Sequence, residues 1–324
     1  MPLDFYSVRA GQEHRSLAPA DRLATLQPRW GAPGDDLVRK SGKRANAFIL
    51  KRNSYLMKKK IIIAAFAAAL VATSITPANA ALTGTVSKGV LTIATDNPAY
   101  SPWFDNNTPS NGKGFESAVA YAVAKQLGYS AKQVKWVTAT FDSVIQPGKK
   151  NYDFDINQVS ITPERAKAVD FSTGYYDVAQ TVVSIKGSSI ASAKTLAALK
   201  NAKFGAAVGT TSLTAIKNVI KPKSSASVYN TNDLAVAALK AKQIDGIVVD
   251  LPTAFYLAAT VDGAVLVGQL PASGKAEQFG LVLTKGSPLT AKVSAAVDAL
   301  RKNGTLKKLA DKWLANTAGA PVLK

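Results

Sequence analysis

Val90-Leu91-Thr92-Ile93-Ala94 is a short, apolar, partly β-branched run that reads as a buried strand. Residues 116–127 then carry a helical period stopped by Gly128, and residues 134–137 form a second short apolar run. A strand, a helix and a strand in that order make a βαβ unit. Outward from it, apolar runs at 154–156, 178–185, 203–208, 246–249, 264–267 and 278–283 read as further strands. Helical periods at 212–219, 233–241, 253–259, 289–302 and 305–314 lie between and after them. This alternation predicts an α/β fold with largely parallel sheets. No linker rich in Gly, Ser or Pro divides the chain, so any two lobes must be joined by something short. Crossings at Tyr175-Tyr176 and just after the 271–274 turn would make residues 180–270 an inserted lobe. Residues 81–179 and 271–324 would together form the other. In such sheets ligands bind beyond the carboxyl ends of the strands, so residues just after strands carry the function.

The chain has 324 residues, 40 Lys and Arg against 21 Asp and Glu, one His and no Cys. The absence of Cys removes disulfides, thiolate metal sites, cysteine nucleophiles and an N-terminal lipid-modified cysteine. Residues 57–80 run from Met57 through Lys58-Lys59-Lys60 and an apolar stretch to Ala78-Asn79-Ala80. That is the three-part pattern of a cleavable secretory signal, with the cut expected after Ala80. An export signal works at an N-terminus, so residues 1–56 are expected to be untranslated or a disordered extension, with Met57 as the start. Residues 81–324 then carry 27 Lys and Arg against 16 Asp and Glu, and no His, since the only one is His14. A histidine base, a Ser-His-Asp triad and imidazole metal sites are excluded from that region. Its lysines are scattered and not interleaved with aromatics, which predicts a solvated basic surface and no nucleic-acid partner.

Residues 81–324 use 25 Lys but only two Arg, Arg165 and Arg301, so an arginine stands out. Arg165 lies in Ser160-Ile161-Thr162-Pro163-Glu164-Arg165, where Thr162 suits a helix N-cap and Pro163 the first helical position. A planar guanidinium held there suits a carboxylate, which it can grip through two parallel hydrogen bonds. Gly209-Thr210-Thr211-Ser212 follows a strand and opens a helix, so Thr210 and Thr211 offer backbone N–H groups and hydroxyls to an anion or simply cap the helix. Asp250 ends a strand just before Pro252, where it faces a ligand ammonium or caps a helix. Asp96 is followed by Tyr100, Trp103 and Phe104. Tyr100 and Phe141, with Trp103 as a weaker candidate, have the character of pocket-lining rings, while Trp136 and Trp313 read as core.

In order along the chain, Leu91 to Asp96 with Tyr100-Ser101-Pro102, Gly114-Phe115-Glu116, Tyr152-Asp153-Phe154-Asp155, Ser160 to Arg165, Asp170-Phe171-Ser172, Gly209-Thr210-Thr211 and Glu277-Gln278-Phe279-Gly280 resemble the periplasmic polar-amino-acid-binding proteins, the bacterial extracellular solute-binding proteins of family 3. The resemblance covers nearly all of residues 85–315. It implies a two-lobed periplasmic-binding-protein fold of type II, two α/β lobes on two short hinge strands, closing over one L-amino acid. It implies delivery to the membrane permease of an ABC transporter by a monomer in the periplasm, without a cofactor. On that resemblance Arg165 and Thr211 hold the α-carboxylate, Asp250 holds the α-ammonium with Ser160 and the carbonyl of residue 158, and Tyr100 and Phe141 stack on the side chain. The departure is Asn157-Gln158, where small residues are common. Gln158 favours a polar ligand and Asp96 a cationic one.

Two rivals follow from the same residues. One is a periplasmic dehydratase or lyase on this fold, which would need a tuned general acid near the anion site. Between Glu164 and Glu277 there is no Glu, which counts against it. The other is a sensing partner of a membrane receptor. No apolar run after Ala81 approaches the length of a membrane span.

Overall fold

The computed structural model describes residues 82–272, 274, 276–314 and 319–324. The expectations for residues 1–56 and for the signal at 57–80 lie outside these. Two five-stranded sheets organise the described chain. The first has the order β2-β1-β3-β12-β4, from Val134–Thr138, Leu91–Thr95, Phe154–Asp155, Val282–Thr284 and Val169–Phe171. The second has the order β10-β6-β9-β7-β8, from Ala264–Gln269, Gln180–Ile185, Gly246–Asp250, Phe204–Ala207 and Ser227–Tyr229. Between β4 and β6 the chain forms β5 (Tyr176–Val178), and between β10 and β12 it forms β11 (Glu277–Phe279). These two pair with each other, antiparallel, with Glu277 opposite Val178 and Phe279 opposite Tyr176, and Phe279 also makes an isolated antiparallel bridge to Ser160. The ribbon is therefore the double crossing between the sheets.

The sheets are mixed, not largely parallel as expected. β1 runs parallel to β2 and β3, and β7 parallel to β8 and β9, while β6 and β12 run antiparallel to their neighbours. The reason is the hinge. β6 and β12 each continue directly from a ribbon strand, so they enter their sheets without a helical crossover to reset direction.

Helices α1 (Phe115–Gln126), α7 (Thr290–Lys302) and α8 (Thr305–Trp313) cover one face of the first sheet. Their buried residues, among them Phe115, Val119, Val123, Val293 and Val297, pack on Ile93 and Phe154. Shorter helices α2 (Phe141–Val144) and α3 (Pro163–Ala168) follow strands of the same sheet. The second sheet is covered by α4 (Thr211–Ala215), which continues into a π-turn, by α5 (Asn232–Lys240) and by α6 (Leu251–Thr260), with separate apolar clusters on its two faces. Trp103 is fully buried at the hinge, its ring centroid 6.0 Å from Phe115, 5.9 Å from Tyr176 and 5.6 Å from Phe279. Gly114 makes this approach possible: its φ is +90°, and a Cβ there would stand 2.4 Å from the Trp103 carbonyl oxygen.

The C-terminal residues depart from the expected division, which placed all of 271–324 with the first sheet. Gln269 at the end of β10 donates its backbone N–H to the Pro321 carbonyl (2.7 Å) and accepts from the Leu323 N–H (2.9 Å), and Leu323 is buried in the second sheet's core. β10 is an edge strand whose outer backbone groups need partners, and the tail supplies some of them.

Candidate functional site

The carboxyl ends of β1, β7 and β9 and the turn after β3 converge on a cavity of about 180 Å³ between the sheets. Its wall includes Asp96, Tyr100, Phe141, Asp142, Gln158 and Asp250, together with Thr210, Thr211 and Ser212. Three aspartates contribute to it, and among the described residues lining it there is no Lys or Arg.

Arg165 stands behind this wall. Thr162 caps α3 by accepting the Arg165 backbone N–H at 3.2 Å, as Thr162-Pro163 predicted. The guanidinium is 5.4 Å from the centroid of the Phe141 ring. It donates through Nη1 to the Ser160 carbonyl (2.7 Å) and through Nη2 across the cleft to the Gly209 carbonyl (2.8 Å). A guanidinium has five N–H donors, so three remain. Burial pulls the Arg165 pKa down, against the opposing charges of Glu277 and Asp250.

Asp250 occupies the N-cap position of α6, but its side chain makes no cap hydrogen bond. Instead Oδ1 accepts from Gln180 Nε2 at 2.9 Å. Burial and then the nearby Glu277 charge push its pKa up to about 8, outweighing that hydrogen bond and Arg165. Thr210 is the helix cap: its hydroxyl accepts from the Leu213 N–H (3.2 Å) and donates to the Ala207 carbonyl (2.7 Å). Thr211 is free of that duty and turns its hydroxyl toward Ser160, 3.4 Å away.

Asp96 lines the cavity while its oxygens accept the backbone N–H groups of Asn97 (2.7 Å) and Phe141 (3.1 Å), which seats the Phe141 ring. Burial, and then the charge of nearby Asp233 on the other side of the cleft, raises the Tyr100 pKa. Gln158 lines the cavity in a left-handed conformation, φ +49°. Its strain is held by buried Glu116, which accepts the Gln158 backbone N–H at 2.7 Å, the Gln158 side-chain amide and the Tyr175 hydroxyl. The Gln158 NH₂ donates to Glu116, so its Oε1 is left for the cavity. Trp103 is a correction: fully buried, it forms no part of the cavity wall, and its Nε1 donates to Thr253 at 3.0 Å across the cleft.

Two further residues had gone without a role. Glu277, on hinge strand β11, accepts the Ser160 hydroxyl and the Thr211 hydroxyl (2.5 Å) on one oxygen. Gln180 Nε2 reaches its two oxygens at 3.3 and 3.2 Å, while Gln180 Oε1 accepts from Ser212 at 2.7 Å. The signal available for Glu277 was its isolation as the sole Glu beyond residue 164. Gln180 carried none, since a glutamine at a strand start is unremarkable.

Among the described residues no group of three or more His, Cys, Asp or Glu is placed to hold a metal ion, and no helix is long and apolar enough to cross a membrane. The chain is 32% identical over 252 residues to the L-arginine-binding protein of Pseudomonas aeruginosa, spanning 72% of this chain and 95% of that one. It is 30% identical over 245 residues to the L-cystine-binding protein TcyJ of Escherichia coli, spanning 73% and 85%. Among solved structures it resembles an ancestral arginine-binding protein bound to arginine, with TM-score 0.58 and 31% identity over 69% of this chain and 98% of that one. The family model for bacterial extracellular solute-binding proteins, family 3, matches residues 91–316. The chain, with its two α/β lobes, belongs to that family.

Proposed function

We propose that the cleft binds one L-α-amino acid with a cationic side chain and presents it to the membrane permease of an ABC transporter in the periplasm, without turnover. The observation that carries the cationic class is the wall: Asp96, Asp142 and Asp250 line it and no described Lys or Arg does, in a region rich in lysine. An α-amino acid brings a carboxylate and an ammonium. The spare donors of Arg165 with the Thr211 hydroxyl suit the first, and Asp250 suits the second. A second cation extending along the cavity meets Asp96 and Asp142, the faces of Phe141 and Tyr100, and the Gln158 carbonyl oxygen. The relatives named for arginine are consistent with this class.

Closure adds contacts between the two lobes. Arg165 to Gly209 and Trp103 to Thr253 join the two lobes, and Tyr100 lies near Asp233. A ligand contacting both lobes favours the closed form over the open one by its differential affinity.

The test is a thermal-shift screen of the refolded, ligand-stripped protein against the L-amino acids, polyamines and dicarboxylates. Ligand at about a hundred times its Kd adds roughly 2.7 kcal/mol, a rise of about 5 to 11 °C for a domain of this size. A shift of that order with L-arginine or L-lysine, and recovery of the ligand unchanged, is expected. A shift only with acidic solutes, or chemical conversion of the ligand, would overturn the reading.

A further inference from the structure

The donors suited to a ligand carboxylate are already in use. Ser160 from the first lobe and Thr211 from the second direct both hydroxyls to one oxygen of Glu277, and Gln180 brings its amide within 3.2 Å of the other. Arg165 lies close enough for the Glu277 charge to act on it. Two hydroxyls, an amide and a guanidinium are the donor set of a carboxylate site, and the carboxylate in it belongs to the chain. Glu277 comes from the hinge ribbon, not from the cavity wall, so its side chain can leave without uncovering a core. Two carboxylates cannot share one pair of hydroxyls without like-charge repulsion at close range.

On the reading that the ligand is an α-amino acid, we propose that Glu277 is a resident competitor that sets affinity and selects for the α-carboxylate. It holds the Ser160 and Thr211 hydroxyls until the ligand carboxylate displaces it, so binding is an exchange of one carboxylate for another. The apparent affinity is the intrinsic one reduced by the fraction of molecules in which Glu277 has swung away. A ligand lacking the carboxylate leaves Glu277 in place and escapes this reduction.

The experiment is calorimetric titration of the wild type, Glu277→Gln and Glu277→Ala with two matched pairs, L-arginine with agmatine and L-lysine with cadaverine. A neutral amide competes weakly for the hydroxyls and does not repel an incoming carboxylate. Both variants should therefore bind the amino acids about tenfold or more tighter, with the amines changed by less than about twofold. Equal or weaker amino-acid binding in folded variants overturns the proposal and leaves the functional reading standing, as does an equal gain for amine and amino acid. Failure of the wild type to bind either amino acid overturns both.

A second measurement does not depend on the variants' stability. The whole chain has four glutamates, Glu13, Glu116, Glu164 and Glu277, so carboxyl-labelled glutamate gives few ¹³C signals. Saturation with L-arginine should move the Glu277 signal and leave that of Glu164, exposed on α3, unmoved. A stationary Glu277 signal overturns the exchange.

Discussion

Glu116 makes folding stability fall as the pH rises, in a window that can be stated in advance. Its side chain is 0% exposed, and burial pushes its pKa up from 4.5 to about 7 despite hydrogen bonds from Tyr175 and Gln158. Below pH 4.5 the group is protonated in folded and unfolded chains alike and contributes no pH dependence. Between 4.5 and 7 the unfolded chain gives up this proton while the folded chain keeps it, so the unfolded state gains. Above 7 both are ionised and the difference levels off. At about 1.4 kcal/mol per pH unit, the window costs the fold about 3 kcal/mol, or roughly 6 to 12 °C of melting temperature. Glu116→Gln removes the titration while keeping the shape, since the new amide oxygen can keep the bonds from the Gln158 backbone N–H and the Tyr175 hydroxyl while the Gln158 side-chain amide turns over to accept from the new NH₂. The assay is urea unfolding of wild type and Glu116→Gln at half-unit steps from pH 4 to 8. The difference in stability between them should change by about 3 kcal/mol, in favour of the variant, as pH rises from 4.5 to 7. Parallel curves for the two proteins would refute the reasoning and place the charge of Glu116 in solvent or on an unrecognised partner.

Three further outcomes follow from the same geometry. Gly114→Ala places a Cβ 2.4 Å from the Trp103 carbonyl at a φ of +90°, and should cost about 3 kcal/mol or more by chemical denaturation. A loss under about 1 kcal/mol would mean the Trp103 loop is not held where described. Asp155 is fully buried, neither oxygen has a hydrogen-bond partner, and burial followed by the Glu116 charge raises its pKa well above the usual range. Asp155→Val should therefore stabilise the protein, by more at pH 8 than at pH 5, and a loss at both would argue for an internal water or cation there. Because the Asp250 carboxyl is raised to about 8, binding an ammonium against it at pH 7 should release close to one proton. Calorimetry in buffers of different ionisation enthalpy reads this number, and zero protons would place the ammonium elsewhere.

Much of the fold was legible because its elements carry local signatures. The 116–127 period became α1 at Phe115–Gln126, and Thr162-Pro163 opened α3 as capping chemistry requires. What local pattern could not show was which sheet a strand joins. Residues 178–185 read as one strand but are the end of β5 and all of β6, on either side of a lobe crossing, and residues 278–283 likewise divide into β11 and β12 around Gly280. Both halves are apolar, so periodicity runs straight through the hinge. β8 was missed because it is an edge strand with two of its three residues exposed, which leaves no buried alternation to read.

At the site, Arg165, Asp250 and Thr211 stood out by residue type and placement and Ser160 only through the family resemblance, and the fold brings them together. The rings divided by burial: Tyr100 and Phe141 face the cavity, whereas Trp103 went to the hinge core. The role of Glu277 depends on contacts with Ser160, 117 residues earlier, and Thr211, 66 residues earlier, which no local window contains.

The measurement that tests the central claim most directly is calorimetric titration of the ligand-stripped wild type, Arg165→Ala and Glu164→Ala with L-arginine at pH 7.5. Arg165 works at the cleft and its neighbour Glu164 is on the exposed side of α3. Saturable binding of one L-arginine per chain is expected in the wild type and in Glu164→Ala, with a loss of about a hundredfold or more in a folded Arg165→Ala, as for a buried charge pair broken on one side. Equal affinity in all three proteins, or no binding of L-arginine by the wild type, would contradict the account.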